Sequence, residues 1–362
     1  MPGPYLIQVL ANTGLMAAVV YLPLLARGLG ANHSQVGLLV ATYQAALLVS
    51  NMLFGRWADF GDRKRFVVVG LFASALALAA HTLVRNLSGL FLVRALAGFC
   101  AGIFPAALIA YFYQYNNRLG RFSGFGSLGW GFGAVIAGAV SAAWVFPVSA
   151  FALLVTLFTA ILLLRSQQAN ISQPFFDSRV IRRNWKLYLS FLLRHLGAFS
   201  IWTIFPLYLA DIGASRLWVG LVFALNPFGQ FLFMNLLERF REKLLINAGF
   251  VLSVLVFVAF GIARDFRQAV PIQIALALSW SCLYLGSLKQ LLRCNPERST
   301  AAGVLNSILS LAAVMGALLE GITGAFGYRT IMFVAAGLAA AGGLLFIVAP
   351  DPAPPPVDSC IE

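Results

Sequence analysis

Ionisable side chains inside apolar runs are the residues of this chain best suited to chemistry. Arg94, Arg194, His195 and Glu320 each interrupt a stretch that is otherwise almost entirely apolar. A charge in an apolar surrounding is costly, so such residues are functional candidates by default. Glu320 is the one carboxylate well inside such a run, where a carboxyl group can bind and release a proton. These residue types therefore offer proton binding and the recognition of a charged solute.

Each of these groups also has a structural interpretation, and the sequence leaves both open. Glu320 could pair with an arginine, and Arg94 could bond backbone carbonyls inside a helix bundle. Arg194 lies close enough to the end of its run to extend toward water, as we expect for Lys289. His195 could titrate near neutral pH or be a neutral packing residue. Adjacent helical residues point about 100° apart, so we expect only one of Arg194 and His195 to face a central cavity.

A second concentration of charge is the run GRWADFGDRKR, from Gly55 to Arg65. Six of these eleven residues are charged, whereas charged residues make up 10% of the whole chain. Basic residues would serve to orient a chain in a membrane, but this role does not require an acid among them. Asp59 is therefore the residue of the run that calls for a function of its own.

Motifs of enzymes and metal sites are missing from the sequence. It contains no H-E-x-x-H, no G-x-S-x-G and no P-loop, and its four cysteines are scattered without metal-binding spacing. We therefore expect no enzyme activity, no cofactor and no metal. Without a nucleotide site, any transport would draw on ion or substrate gradients.

The elements that must position these residues are membrane-spanning helices. Hydrophobic residues make up 60% of the chain and the mean hydropathy is +0.87, well above soluble proteins. A spanning helix needs roughly 20 mostly apolar residues. Twelve such runs are present, namely 5–26, 36–55, 66–84, 89–113, 122–145, 147–164, 187–210, 217–237, 244–263, 270–292, 300–326 and 330–349. The predicted fold class is an all-α, multi-pass membrane protein.

The distribution of basic residues predicts the orientation. The net charge of +13 could suggest nucleic acid, but the bases lie in short loops between apolar runs, so we expect a lipid bilayer and no nucleic acid as partner. With the N-terminus inside, sixteen Lys and Arg residues fall in cytoplasmic loops and six on the opposite side. We therefore expect a cytoplasmic-membrane protein with both termini in the cytoplasm.

An internal repeat relates the two halves of the chain. At an offset of 183 residues, YLPLLARGLGANHSQVGLL matches IFPLYLADIGASRLWVGLV, including Pro23 with Pro206 and Gly30 with Gly213. Two halves of equal topology imply two pseudo-symmetric six-helix bundles that suit alternating access. The predicted organisation is a bundle over 1–165, a cytoplasmic linker over 166–186, a bundle over 187–349 and a disordered tail over 350–362.

Short motifs stand at fixed places relative to these spans. The loop after the second span fits G-x-x-x-D-x-x-G-R-[RK], with Gly55, Asp59, Arg63 and Lys64 in place and Asp62 where glycine is expected. The fourth span fits R-x-x-x-G-x-x-x-G through Arg94, Gly98 and Gly102. With twelve spans and the repeat, these motifs resemble the major facilitator superfamily of secondary transporters. In the fifth span GAVIAG keeps Gly133 and Gly138 but departs from the G-P-x-x-G-G of the family's antiporters.

The resemblance implies a function and a gate. It implies alternating-access movement of a small organic solute by a monomer, and we predict proton-coupled export of drugs or metabolites, with Glu320, His195 and Arg94 as coupling candidates. Import or uniport of a sugar or organic anion is the alternative, and a receptor or lipid-moving protein is the alternative of another class. We expect Asp59 to bind the start of the eleventh span, NPERSTAAG, with Arg63 as its partner, closing the cytoplasmic side.

The predicted substrate cavity combines polar and aromatic side chains, because amides at membrane depth should face protein or water. Its candidates are Asn12, Tyr43, Gln44, Arg194, Trp202, Asn226, Gln230, Trp280, Tyr284 and Asn306. Pro227 beside Asn226 is expected to break the eighth span. The predicted packing glycines are Gly98, Gly102, Gly133, Gly138, Gly316 and Gly321.

Overall fold

The computed structural model describes residues 3–116, 118–140, 143–170, 178–323 and 326–349. Within these ranges the chain forms α-helices and one short 3₁₀-helix (His81–Leu83), with a single isolated bridge between residues 62 and 168. The helices are α1 (Gly3–Gly28), α2 (His33–Trp57), α3 (Arg63–Ala80), α4 (Leu87–Ala101), α5 (Pro105–Tyr115), α6 (Leu119–Ala139), α7 (Val145–Leu163), α8 (Arg179–Asp211), α9 (Arg216–Leu237), α10 (Glu242–Ile262), α11 (Phe266–Cys294), α12 (Arg298–Thr323) and α13 (Tyr328–Val348).

Eleven of the predicted spans each coincide with one helix, and the fourth is divided into α4 and α5. Pro105 is at the first position of α5, where its missing N–H costs no hydrogen bond. Among the described residues, ten helical segments are long and apolar enough to cross a membrane, or eleven if the bent α8 counts as one span. The glycine-rich α6 is not among them, so the count of twelve spans stays a prediction.

α8 differs from its predicted span in length and shape. It begins at Arg179, so residues 179–186 of the predicted linker are helical. The helix bends by 53° between the segments Arg179–Trp202 and Ile204–Asp211. Pro206 explains the bend, since proline cannot donate to the carbonyl of residue 202.

The prediction that Pro227 breaks the eighth span is wrong. α9 continues from Arg216 to Leu237 with Pro227 inside it. A proline removes one hydrogen bond, but intramembrane helices tolerate this loss because neighbouring groups satisfy the freed carbonyl. The helix therefore presents Asn226 on a continuous surface rather than beside an open turn.

The internal repeat recurs in the structure as the same turn after α1 and after α8. Gly30 and Gly213 both have left-handed backbone conformations, with φ of +84° and +94°. Glycine adopts this conformation without the strain that a Cβ would bring. The hydrogen bonds that close the two turns run from Ala31 N–H to Ala26 O at 3.0 Å and from Ala214 N–H to Leu209 O at 2.9 Å.

The helix after each of these turns starts with the same kind of cap. The side chain of Asn32 accepts the amide hydrogen of Gln35 at the start of α2, and Ser215 accepts that of Trp218 at the start of α9. Asn32 and Ser215 are separated by the repeat offset of 183 residues. Such caps satisfy amides that have no partner inside the helix. The two halves thus share local structure at positions whose sequences differ.

The described chain divides into two compact units. The first contains residues up to 177 together with 296–310, and the second contains 178–295 and the residues from 311 onward. Residues 296–310 lie in the predicted second bundle by sequence but cluster with the first unit. The division of the membrane domain into two bundles of six spans stays a prediction, and the tail 350–362 lies outside the described residues.

Glycines allow close helix contacts in the first unit. A Cβ on Gly98 of α4 would lie 2.2 Å from a carbonyl oxygen of α2, and one on Gly102 would lie 2.6 Å from a side-chain carbon of α2. A Cβ on Gly133 of α6 would lie 2.6 Å from a carbonyl oxygen of α1. Larger residues would push these helices apart, as expected for packing within a bilayer.

A similar contact occurs in the second unit. A Cβ on Gly316 of α12 would lie 2.7 Å from Phe199 Cβ and 2.9 Å from Leu196 O on α8. Gly138 and Gly321 lie outside the residues whose packing the structure describes. The surfaces of both units carry exposed apolar side chains such as Leu162 and Leu318, 80% and 66% exposed. Such surfaces suit a lipid surrounding.

Candidate functional site

The charged run after α2 forms a buried cluster with the start of α12, within the first unit. Asp59 is 0% exposed. Its Oδ1 accepts the amide hydrogen of Ser299 at 3.0 Å, and its Oδ2 accepts both the amide and the hydroxyl of Thr300 at 2.7 Å. The first amides of a helix have no partner within it and carry a partial positive charge. The carboxylate therefore caps α12 from a position on another part of the chain.

Arg63 supports this carboxylate. Its guanidinium lies 3.2 Å from Asp59 Oδ1, and its Nε donates to Ser299 Oγ at 3.2 Å. Its Nη1 donates to Gln114 Oε1 at 2.9 Å and to Gln167 Oε1 at 3.2 Å. A buried ion pair is stable only where further hydrogen bonds satisfy both partners. The geometry expected for Asp59 and Arg63 is found here, while their role as a gate stays a prediction.

Two glycines allow α2 to approach α12 at this cluster. A Cβ on Gly55 would lie 2.9 Å from Ser299 O, and one on Gly303 would lie 2.4 Å from Asn51 O. Side chains at either place would separate the two helices. This close contact explains why the sequence motif begins with a glycine. Without a side chain at Gly55, α12 lies close enough for its first amides to reach the Asp59 carboxylate.

Asp62, which replaces the expected glycine, has a role that the sequence reasoning missed. Its carboxylate caps α3 by accepting the amide hydrogen of Lys64 at 3.0 Å. It also accepts the Gln167 amide and the Ser166 hydroxyl, both at 2.9 Å. Asp62 thereby holds the segment 164–170, which we call the post-α7 segment, against the turn before α3. A capping aspartate before a basic helix start was the available signal.

The protonation of Asp62 follows from these contacts. Burial by itself raises the pKa of this carboxyl group, but the hydrogen bonds from Gln167, Ser166 and Lys64 and the charge of Arg65 together hold its pKa below the ordinary value. Asp62 is therefore ionised at neutral pH.

The post-α7 segment and Lys64 complete this region. Gln167 accepts the Arg63 amide hydrogen on its backbone oxygen at 3.0 Å and donates its side-chain amide to Tyr111 O at 3.2 Å. Lys64 Nζ donates to Ile161 O at 2.9 Å in the last turn of α7, where a cation is favourable. Each residue of the sequence motif thus has its own structural partner.

Arg94 lies buried in the first unit, 2% exposed. Its guanidinium is 4.2 Å from the ring centre of Tyr43, and its Nε has no hydrogen-bond partner among the described residues. Tyr43 is also buried, so the pair forms a cation–π contact away from water. The structure brings these two predicted residues together and leaves coupling or structural roles open for Arg94.

Arg194 is buried in the second unit and does not extend to water. Its side chain is 1% exposed, its Nε donates to Ser253 Oγ at 2.9 Å, and its Nη2 has no partner among the described residues. The guanidinium lies 5.3 Å from the ring of Phe257 and 5.8 Å from that of Trp280. No carboxylate pairs with it in the described part of the chain. An arginine so placed is electrostatically suited to an anion.

His195 is also 1% exposed and lies beside the same tryptophan. Its Nδ1 is 2.7 Å from Phe191 O on its own helix, and its ring meets Trp280 edge-on at 4.9 Å. This arrangement favours a packing histidine over a proton carrier. Trp280 in turn stacks on Tyr284 with ring centres 5.5 Å apart, which joins these two predicted cavity residues and His195 into one aromatic group.

The other intramembrane candidates are dispersed. Glu320 is half-buried in the last turns of α12. Lys289 is half-buried, and its Nζ donates to Glu238 O at 2.7 Å and Phe240 O at 2.9 Å in the turn just after α9, so its extension toward water stays a prediction. Asn226 is buried and hydrogen-bonded to Gln230.

The remaining cavity candidates are half-buried side chains in both units. Asn12 Oδ1 accepts the indole hydrogen of Trp130 at 2.8 Å in the first unit, and Trp202 packs against Phe205 and Phe223 in the second. Gln44 and Asn306 are half-buried and belong to the first unit. Their role in a substrate cavity stays a prediction.

Comparison with known proteins identifies the family. The family model described as Major Facilitator Superfamily matches residues 5–187 and again residues 187–359. The chain belongs to the Major Facilitator Superfamily. The predicted family and fold class are therefore confirmed, apart from the span count. Members of this superfamily are carriers, so the chain is a multi-pass membrane transporter and not an enzyme.

Individual relatives match this chain over almost its whole length. The quinolone resistance protein NorA of Staphylococcus aureus strain COL is 23% identical over 361 residues, covering 92% of each chain. The human organic anion transporter MFSD10 (TETRAN) has a similar fold, with a TM-score of 0.83, 14% identity and coverage of 95% of this chain and 98% of the other. A bacterial homologue of the iron transporter ferroportin, in an outward-facing state, gives a TM-score of 0.75 at 16% identity and the same coverage.

Proposed function

We propose that this transporter exports organic compounds from the cytoplasm and couples their export to proton entry. The observation that carries the proposal is the similarity to the quinolone resistance protein, which covers 92% of both chains. Resistance produced by a membrane transporter requires outward movement of the compound. The same direction is therefore proposed for this chain, with amphiphilic aromatic compounds as the substrate class.

Glu320 is the proposed proton carrier. It is half-buried inside α12, whereas the described carboxylates Asp59 and Asp62 are engaged in the charged cluster. A carboxyl group that is partly withdrawn from water can exchange a proton during each transport cycle. Glu320 lies near the end of α12, and the orientation predicted from the basic residues assigns this end to the outer side.

The Asp59 cluster is the proposed gate on the cytoplasmic side. The carboxylate holds the first amides of α12, and Arg63 holds the carboxylate. Breaking these contacts would release the start of α12 from α2 and α3 and allow access from the cytoplasm. Rigid-body movements of helices can repack salt bridges at an interface, and a polar contact of this kind can form in one state and break in the other.

Arg194 favours a second candidate function, the transport of an organic anion. It is a buried arginine without a carboxylate partner in the described residues, and its guanidinium lies beside Phe257 and Trp280. A planar aromatic carboxylate would match both the charge and the rings. Transport of such an anion would not require Glu320 to carry a proton.

Flux measurements on the purified protein in liposomes test the proposal. Liposomes are loaded with a quinolone, a cationic dye, a sugar or an aromatic carboxylate, and release is followed after the outer solution is acidified. Saturable release that accelerates with the pH gradient supports proton-coupled export. Saturable release whose rate does not change with the pH gradient would contradict proton coupling. The absence of saturable flux for all four compounds would favour a receptor or lipid-moving protein.

A further inference from the structure

A cavity of about 210 Å³ lies in the second unit, between the ends of α8, α10, α11 and α13. The residues that line it do not include Arg194, Trp280 or Glu320, so it is not part of the proposed transport site. Its polar lining residues are Arg183, Asn184, Lys186, Lys243, Asn247 and Gln290. Drug-sized ligands occupy pockets of roughly 300–1,000 Å³, so this one suits a smaller chemical group.

The cavity is positively charged. Among the described residues that line it, three are basic and none is acidic. A small concave site lined by bases and amides has the chemistry that binds a phosphate group.

Contacts within the protein hold two of these bases at the cavity. Arg183 Nη1 donates to Asn295 Oδ1 at 3.2 Å, and Lys186 Nζ donates to Ala349 O at 2.7 Å. Lys186 also lies 5.2 Å from the ring centre of Phe346, which lines the cavity. The side chains are therefore ordered before any ligand arrives, and this lowers the entropy lost on binding.

The mouth of the cavity borders the lipid-facing surface. Ile347 lines the cavity and is 65% exposed, and Leu344, one turn away on α13, is 62% exposed. Trp185, between Asn184 and Lys186 on α8, is 37% exposed. Tryptophan is enriched where lipid headgroups meet acyl chains. A phosphate in the cavity would thus lie at headgroup depth, with apolar protein surface beside it for an acyl chain.

We propose that this cavity binds the phosphate of an anionic glycerophospholipid. Basic pockets between transmembrane helices on the cytoplasmic side are suited to such headgroups, and the distribution of Lys and Arg predicts that this end of the molecule is cytoplasmic. The exposed apolar residues at the mouth distinguish a membrane lipid from a free phosphate ion, which would gain nothing from them.

Lipid binding to the full-length protein can be measured by native mass spectrometry from detergent. The wild-type chain is expected to retain phosphatidylglycerol in preference to phosphatidylcholine. Each base near the membrane surface contributes about fivefold to the binding of an anionic lipid, so Lys243→Gln should weaken phosphatidylglycerol binding about fivefold. The double variant Arg183→Gln with Lys243→Gln should weaken it further.

Arg241→Gln is the matched control, because Arg241 is exposed at the start of the same helix but does not line the cavity. It should leave phosphatidylglycerol binding unchanged, and thermal unfolding of both variants checks that they remain folded. Equal binding of the two lipids, or equal losses in the Lys243 and Arg241 variants, would overturn the proposal. Displacement of phosphatidylglycerol by inorganic phosphate at equal concentration would identify a free-phosphate site instead.

Discussion

The carboxylate of Asp59 accepts the amide hydrogen of Thr300 at 2.7 Å, although the two residues are 241 positions apart in the chain. The acceptor lies in the turn after α2, and the donor is in the first turn of α12. A helix start stabilises a nearby carboxylate through its unpaired amides and partial positive charge. This one contact therefore joins the charged sequence motif to a helix in the other half of the chain.

Asp59→Asn should loosen the start of α12. An amide keeps the size of the side chain but removes the charge, and carboxylates at helix starts contribute about 0.3–1 kcal/mol, up to about 2 when partly buried. We expect faster hydrogen exchange at Ser299 and Thr300 and a lower rate of transport. Hydrogen-exchange mass spectrometry and liposome flux measure the two effects.

Asp265→Asn provides the control for that experiment, because Asp265 caps α11 by accepting the Arg267 amide hydrogen at 2.7 Å in an exposed turn. It removes the same charge without touching α12. If Asp59→Asn left both the exchange of α12 and the flux at wild-type values, the gate would have to be assigned elsewhere.

Glu320→Gln should abolish flux that is driven by a pH gradient and preserve exchange of substrate for substrate. Glutamine cannot carry a proton, but its size and polarity are close to those of glutamic acid, so substrate binding should persist. The two kinds of flux are measured in the same liposome preparation. Undiminished pH-driven flux in the variant would exclude Glu320 as the proton carrier.

Arg194→Gln tests the organic-anion alternative. Loss of a charge-assisted contact costs about 1.5–3 kcal/mol, so we expect at least a tenfold loss of affinity for an aromatic carboxylate and little change for a neutral aromatic compound. Thermal-shift titration measures both affinities. Arg194→Lys should recover part of the anion binding. Equal losses for both compounds would indicate that Arg194 acts only in packing.

Asp62 predicts a pH dependence of the post-α7 segment. Because the folded state holds the pKa of Asp62 below the ordinary value, ionised Asp62 stabilises the fold at pH values above about 4, the value of an unfolded aspartate. This stabilisation is lost as the pH falls through the lower, folded-state pKa. The amide of Gln167, which donates to Asp62, should therefore lose protection from exchange in acid.

Asp62→Asn should make that protection low and independent of pH over the acidic range. Glu242→Gln serves as the comparison, because its ion pair with Arg293 lies in the other unit. A wild-type segment that stays equally protected at neutral and strongly acidic pH would show that Asp62 contributes nothing to its docking.

The positions of the helices could be predicted largely from the sequence. Apolar runs coincide with helices because a bilayer requires every backbone group to be satisfied within its own helix. The observed helices differ from the predicted spans where the local preference of the sequence and the packing of neighbouring helices favour different structures. α8 extends back to Arg179 into a polar stretch, and α9 continues through Pro227, which the sequence suggested as a break.

The candidate site could be predicted only in part. The family resemblance led to the partnership of Asp59 with the start of the eleventh span, but not to Asp62 as the anchor of the post-α7 segment. It did not distinguish whether Arg194 reaches water or lies buried beside Ser253 and Trp280.

The sequence by itself determined the class of protein, the apolar helices and the concentration of charge after α2, because these depend on residue type and short-range order. The tertiary structure decided which partners the charged groups find. Asp59 meets Thr300, and Asp62 meets Gln167 more than a hundred positions away. Such contacts depend on how whole helices pack, and packing is set by close approaches such as that of Gly303 to Asn51, which local sequence does not encode.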